Sequence, residues 1–170
     1  MKYLKIIALT TIIVLLGRVD STFGANDFES GVRLWGYYAP VMSTLGPGSA
    51  MGIGVEFNRH IFSVRTAATD TQPMHDTWDI AVMYGRAGTI GSYYISGSTG
   101  AAIIAGEQYP NLFGGESEGA MDPMLAFPLE GELSWPVNDM LALGIYALMN
   151  VNTNQPFGGL GLTVRLGKIK

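Results

Sequence analysis

Apolar side chains occupy every second position in a pattern that returns eight times after residue 25. The run 159–166 shows it best, because leucine and valine alternate there with glycine, threonine and arginine. A period of two is typical of a β-strand, since successive side chains leave opposite faces of the strand. The pattern therefore predicts eight strands, near 31–39, 50–58, 60–68, 77–86, 89–104, 122–135, 139–151 and 158–168.

The composition indicates that the apolar face meets lipid. Charged residues make up only 14% of the chain and 23 of its 170 residues are glycine, against typical shares of about 25% and about 7%. Beyond the first 24 residues no apolar run is long enough for a membrane helix, so the backbone could be satisfied in a bilayer only by a closed β-barrel. We expect an all-β fold, an eight-stranded antiparallel up-and-down transmembrane β-barrel. The segment Met140–Val151 also suits a buried helix.

The amino terminus has the composition of an export signal. Two lysines within the first five residues precede an apolar run, and small residues lead to a cleavage position between Gly24 and Ala25. We expect a signal peptide over 1–24 and an outer-membrane β-barrel domain over 25–170, in the outer membrane of a Gram-negative bacterium. The alternative is a retained membrane anchor. The chain has no cysteine, which excludes a lipid-anchored lipoprotein and a disulfide scaffold.

The connections between the strands are of two kinds. Turns of about three residues are predicted at 58–60, 86–88 and 136–138, and longer connections at 40–49, 69–76, 105–121 and 152–157. If both termini are periplasmic, the short turns are periplasmic and the longer loops extracellular, as in outer-membrane barrels. Pro128 falls inside the sixth strand, where it removes a ladder hydrogen bond, and predicts a bulge or a split strand.

Seven charged residues share the face opposite the apolar one, and the barrel would place them inside. They are Arg33, Glu56, Arg65, Asp79, Glu130, Glu132 and Arg165. The interior of an eight-stranded barrel is just wide enough for side chains to fill, and buried charges must be paired or hydrogen-bonded. We expect a structural charge network that plugs the interior; the alternative is a sheet face with solvated charges.

Aromatic residues occur near the predicted strand ends, where tyrosine and tryptophan favour the boundary between membrane and water. They are Trp35, Tyr37, Tyr38, Trp78, Tyr84 and Trp135. Ordinary core packing would explain any one of them equally well. Only their collective placement favours a membrane boundary.

Two stretches carry a resemblance to a known group of proteins. The segment Leu143–Lys170 and the strand Trp78–Arg86 (WDIAVMYGR) resemble those of small outer-membrane β-barrel proteins of Bacteroidota, a family of uncharacterised function. The resemblance covers about a third of the exported chain. It implies an outer-membrane barrel and assigns no activity. Classical barrels of this kind end in an aromatic residue, whereas this chain ends in Lys170.

The residues give little support to catalysis. His75 could be combined with Ser43 or Ser117, but no spacing enforces a triad, and His60 falls in a turn. Two distant histidines without cysteine match no metal-ligand spacing, so we expect no metal or cofactor. Removing 1–24 leaves seven Lys/Arg (10 − 3) against thirteen Asp/Glu (14 − 1). That net charge of −6 argues against a nucleic-acid partner.

Three function classes follow. The favoured one is a non-enzymatic outer-membrane barrel in contact with outer-membrane lipid. It would have an envelope-structural role, or contact an extracellular or envelope partner through its outer loops. A candidate surface-contact loop carries Tyr109, Leu112, Phe113, Glu116 and Glu118, although a solvated loop explains the same residues. The alternatives are a soluble periplasmic lipocalin-like binder of a small apolar ligand and a lipid-modifying outer-membrane enzyme.

Overall fold

A computed structural model describes residues 31–70, 76–108 and 119–167, and these residues form a closed β-barrel. Each strand pairs antiparallel with its neighbours in chain order, and β1 pairs with β8 to close the barrel. No helix in these ranges has the length and apolar character to cross a bilayer. The strands are β1 Arg33–Ser43, β2 Gly46–Phe57, β3 His60–Asp70, β4 Asp76–Ile90, β5 Tyr93–Gln108, β6 Gly119–Pro136, β7 Leu141–Val151 and β8 Phe157–Gly167.

The alternation seen in the sequence separates the two faces of the barrel wall. Large apolar residues cover the outer surface, as at Ile53 (67% exposed), Leu125 (76%) and Leu162 (68%). The lipocalin-like alternative needs the apolar face inside, and the structure has the opposite arrangement. The helical alternative for Met140–Val151 is wrong, because β7 pairs along its length with both β6 and β8.

Two predicted connections are shorter or lie elsewhere in the structure. The long connection at 40–49 is wrong, since β1 runs to Ser43, β2 starts at Gly46, and only residues 44–45 join them. Pro40 is accommodated within β1 where the pairing with β8 is interrupted, between Tyr38 and Val41. The turn predicted at 86–88 is instead at 91–92, where Gly91 adopts a φ of +59°. Both errors come from reading a proline or glycine inside a strand as its end.

The two ends of the barrel still differ. At the end that holds the start of β1 and the end of β8, the connections are 58–59, 91–92 and 137–140. We call this the turn end. At the opposite end, the loop end, the connections are 44–45, 71–75, 109–118 and 152–156. The predicted sorting of short and long connections therefore holds except for the first one.

Pro128 lies within a continuous β6, and the predicted bulge or split at this residue is wrong. Thr99 faces Leu129 and Ala102 faces Ala126, so the register is the same on both sides of the proline and Gly100 stands opposite it. Only the pairing at Pro128 and Phe127 is missing, while the Thr99 hydroxyl donates to the Pro128 carbonyl oxygen at 3.1 Å. The register of β5 and β6 shifts instead between Ile104 and Gly106.

Candidate functional site

The seven charged residues singled out from the sequence all point into the barrel. Six of them are buried and Glu130 is half-buried. Arg65 and Asp79 have no exposed surface. Hydrogen bonds and electrostatic contacts divide most of these side chains into two clusters, which we name the Arg165 cluster and the Arg65 cluster.

The Arg165 cluster ties one guanidinium to a carboxylate and to two aromatic rings. Nε of Arg165 donates to Oε1 of Glu132 at 3.2 Å, and Nη2 donates to Oε2 of the same carboxylate. The guanidinium carbon lies 4.1 Å from the ring centroid of Trp35 and 4.5 Å from that of Tyr94. This two-pronged contact stacked on aromatic faces is the geometry in which arginine binds most specifically.

Tyr94 extends this cluster to a second carboxylate. Its hydroxyl accepts from Nη1 of Arg165 at 3.2 Å and donates to Oε2 of Glu56 at 2.9 Å. Arg33 faces Glu56 across β1 and β2. Four of the seven charges are thereby placed in one region of the interior.

The Arg65 cluster holds the other three charges, in two hydrogen-bonded groups that are linked by the electrostatic attraction between Arg65 and Glu130. Nη2 of Arg65 and the amide nitrogen of Asn150 both donate to Oδ2 of Asp79, at 2.5 and 2.6 Å. Glu130 accepts at Oε2 from the hydroxyls of Tyr37 and Tyr146, at 3.1 and 2.8 Å. These two hydroxyls lie 3.1 Å apart.

Fully buried apolar side chains share the interior with the two clusters. Ile61, Met83 and Ile104 are at most 1% exposed and form part of the apolar interior. A groove of about 760 Å³ lies on the outer wall, lined by residues such as Met51 and Ile80. The interior thus resembles a polar protein core, in which hydrogen bonds compensate for much of the burial of charge. Nε and Nη1 of Arg65 and Oδ1 of Asp79 are buried without a hydrogen-bond partner among the described residues.

Sequence reasoning missed the aromatic partners of these charges. Trp35 and Tyr37, expected at the membrane boundary, are inside the barrel at 4% and 7% exposure, and that expectation is wrong. Trp35 and Tyr37 follow Arg33 at intervals of two residues in the same strand, so the alternation alone places all three on the inner face. Tyr38, Trp78, Tyr84 and Trp135 are on the outer surface.

The residues considered for catalysis do not form a site in the described part of the chain. Several predicted features lie outside the described residues: His75, Ser117, the predicted signal peptide, Lys168–Lys170, and the candidate surface-contact loop with Tyr109, Leu112, Phe113, Glu116 and Glu118. Ser43 stabilises the first turn, where its hydroxyl donates to the Gly46 carbonyl oxygen at 2.8 Å. Within the described ranges no three His, Asp or Glu side chains are grouped to hold a metal ion.

Comparison with known proteins identifies the fold. Neither a protein-family model nor a curated protein sequence matches the chain. Among solved structures, Neisserial surface protein A is 18% identical with a TM-score of 0.51, covering 79% of this chain and 94% of its own.

Two further structures agree. The N-terminal β-barrel domain of Pseudomonas aeruginosa OprF is 9% identical with a TM-score of 0.58, covering 80% of this chain and 96% of its own. Yersinia pestis outer membrane protein Ail is 11% identical with a TM-score of 0.52, covering 81% and 99%. The chain therefore has the fold of small eight-stranded outer-membrane barrels.

Proposed function

We propose that this protein is a non-enzymatic β-barrel of the outer membrane, exported after removal of residues 1–24. The observation that carries the proposal is the division between the two faces of one wall. Apolar side chains cover the outside, while arginine, carboxylate and tyrosine side chains are hydrogen-bonded inside. Such a wall suits a bilayer, where lipid surrounds the apolar outside and the polar side chains are confined to the interior of the barrel.

The same arrangement supports a structural role for the interior. The charge clusters cross-link strands that are not neighbours in the wall, since Arg165 in β8 contacts Glu132 in β6 and Tyr94 in β5. We infer that the interior is plugged and that the barrel forms no open pore. Reconstituted into a planar bilayer, the protein should leave the conductance at the level of the lipid alone, with a porin as positive control. A steady conductance would contradict the plugged interior. It would not bear on the outer-membrane location, which cell fractionation tests separately.

Surface contact is the second part of the proposal. Binding residues concentrate on loops held by rigid scaffolds, and residues 109–118 form the longest connection at the loop end. Aromatic and acidic residues occur together there, at Tyr109, Phe113 and Glu116 among others. The partner would be an extracellular or envelope molecule that packs against the aromatic residues of the loop and tolerates the acidic residues around them.

Fractionation of native cells tests the location. Inner and outer membranes are separated on a sucrose gradient after the periplasm is released, and the protein is followed with an antibody. We expect it in the outer-membrane fraction. Recovery as a soluble periplasmic protein would refute the proposal.

A further inference from the structure

The barrel wall is interrupted at the seam where its first and last strands meet. Trp35–Tyr38 and Val41–Ser43 of β1 pair with β8, whereas Ala39 and Pro40 between them have no partner there. Proline has no amide hydrogen to donate, so it leaves a gap in the ladder of a strand. Because β1 and β8 are the first and last strands, no turn joins them. The backbone therefore holds the seam by two separate stretches of pairing.

A similar interruption at Pro128 is bridged, whereas the one at Pro40 is not. The Thr99 hydroxyl donates to the Pro128 carbonyl oxygen at 3.1 Å, and residues 109–118 connect the two strands, β5 and β6. At the seam, Thr163 of β8 lies in the gap. Its hydroxyl is buried without a hydrogen-bond partner among the described residues. Neither a connection nor a described side-chain hydrogen bond thus spans the gap at Pro40.

The paired stretch between this gap and the loop end is short. It consists of three pairs, between Val41–Ser43 of β1 and Gly159–Gly161 of β8. Glycine weakens a strand because it loses more conformational freedom on ordering and has no side chain to pack. One further hydrogen bond closes the stretch, from the amide of Thr44 to the carbonyl oxygen of Gly158 at 2.9 Å. We call residues 41–44 and 158–161 the seam segment.

The interior behind the wall differs on the two sides of the gap. Behind the seam segment it is apolar, formed by Val41, Leu148 and Phe157, which are at most 6% exposed. Toward the turn end, the guanidinium of Arg165 in β8 lies 4.1 Å from the ring centroid of Trp35 in β1. Lipid chains are as apolar as leucine, whereas a charge exposed to hydrocarbon is costly. Separating β1 from β8 therefore costs less free energy at the loop end than at the turn end.

The outer wall carries a groove at the seam segment. This groove has a volume of about 820 Å³, and its lining includes Met42 of β1 and Leu160 of β8. Leu129, Ala147 and Met149 extend the lining over β7 to β6. A lipid chain in this groove would lie directly against the three pairs of the seam segment.

We propose that the seam segment is a lateral portal, which opens toward the bilayer and admits a phospholipid acyl chain to the apolar end of the interior. The chain would enter beside Val41, Leu148 and Phe157, while the stretch that carries Arg165 and Trp35 stays paired. This passage runs sideways through the wall and leaves the charge clusters closed to ions. The inference rests on the proposed function only in taking a bilayer as the surroundings of the wall.

Photolabelling in nanodiscs tests the portal. The nanodiscs contain phosphatidylcholine with a diazirine in one acyl chain, and labelled residues are identified by tandem mass spectrometry after illumination. We expect label on the outward-facing Met149 and, at lower yield, on the inward-facing Val41 and Leu148. Ile61 and Met83, which are equally inward-facing but lie in β3 and β4, should remain unlabelled. Label confined to outward-facing residues would overturn the proposal.

A clamp across the seam segment tests whether the label enters there. The chain has no cysteine, so Met42→Cys/Leu160→Cys, an exposed pair in register, can be bridged with a short bifunctional thiol reagent. Bridging should abolish the inward label, and the unbridged variant should retain it. Ile145→Cys/Leu162→Cys places the same bridge on the other edge of β8 and should leave the inward label unchanged. Inward label that survives the seam bridge, or that both bridges abolish equally, would refute a portal at this seam.

Replacing the proline tests the cause of the opening. Pro40→Ala supplies the missing amide hydrogen and should lower the inward label about fivefold, the effect of one net backbone hydrogen bond. Pro128→Ala, the same change at the bridged interruption, should leave the label unchanged. An undiminished label in Pro40→Ala, in a barrel whose gel mobility still shifts on heating, would contradict the proposal. The nanodisc supplies the bilayer, so these results are independent of cell fractionation, which tests the location separately.

Discussion

Replacing Arg165 by methionine should strongly destabilise the barrel, because it removes the cation of a buried cluster and leaves its acid in place. Arg165 is 3% exposed and Glu132 is 6% exposed. The guanidinium makes both hydrogen bonds to the Glu132 carboxylate, one to the Tyr94 hydroxyl, and lies over the Trp35 ring. Breaking a buried ion pair by deleting one partner typically costs about 3–5 kcal/mol.

The cost should appear as a shift in denaturant midpoint. Urea unfolding of the barrel in lipid vesicles is followed by the change in gel mobility and by tryptophan fluorescence. With a slope of about 1–3 kcal/mol per molar urea, the expected loss lowers the midpoint by about 2 M. Lys168→Met removes the same charge three residues further along the chain, and should change the midpoint little.

The double variant Arg165→Met/Glu132→Leu separates a lost ion pair from lost packing. Removing both charges takes away the uncompensated carboxylate, and buried pairs replaced by apolar residues are often neutral or stabilising. The double variant should therefore be more stable than Arg165→Met alone, with a coupling energy within the range of about 0.5–3 kcal/mol found for contacting residues. If Arg165→Met and Lys168→Met shift the midpoint equally, the interior is solvated and the reasoning is wrong.

Three other outcomes follow from the structure. In SDS gels the barrel should migrate faster unheated than boiled; a mobility unaffected by heating would contradict a closed barrel. Protease added to intact cells should cut near Glu116 and spare the turn at 91–92 until the envelope is opened, and the reverse pattern would invert the topology. Gly100→Ala should cost about 1–3 kcal/mol, because its Cβ would lie 1.9 Å from the Val82 carbonyl oxygen, whereas Gly131→Ala meets nothing closer than 3.8 Å and should be tolerated in the same urea assay.

The strands and the orientation of their faces could be predicted from the sequence because both depend on local alternation. In a run such as 158–166, each residue type indicates whether its side chain faces the outer surface or the interior of the barrel. The ends of strands could not be predicted as well, because Pro40 and Gly88 resemble turn residues. Pro40 lies where the pairing with β8 is interrupted and Gly88 pairs with Ile95 of β5, and neither pairing can be deduced from the local sequence.

The partners of the interior charges depend on barrel closure. Alternation places Arg165, Glu132 and Tyr94 inside, but their contact requires that β8, β6 and β5 face a common centre. No spacing along the chain encodes that contact, since 33 residues separate Arg165 from Glu132 and 71 separate it from Tyr94. The same holds for Asn150 and Asp79, which lie 71 residues apart.

The tyrosines explain how four carboxylates coexist inside with three arginines. Asp79 is paired with Arg65 and Glu132 with Arg165, while Glu56 lies opposite Arg33 in the register and accepts from Tyr94. Glu130 is held by the hydroxyls of Tyr37 and Tyr146. A phenol donates a hydrogen bond to a carboxylate without adding a charge. Its apolar ring also fills interior volume that an additional arginine would occupy with a charged group. Trp35, Tyr37, Tyr94 and Tyr146 therefore belong to the charge network, and their position in the strand alternation, not their aromatic character, assigns them to it.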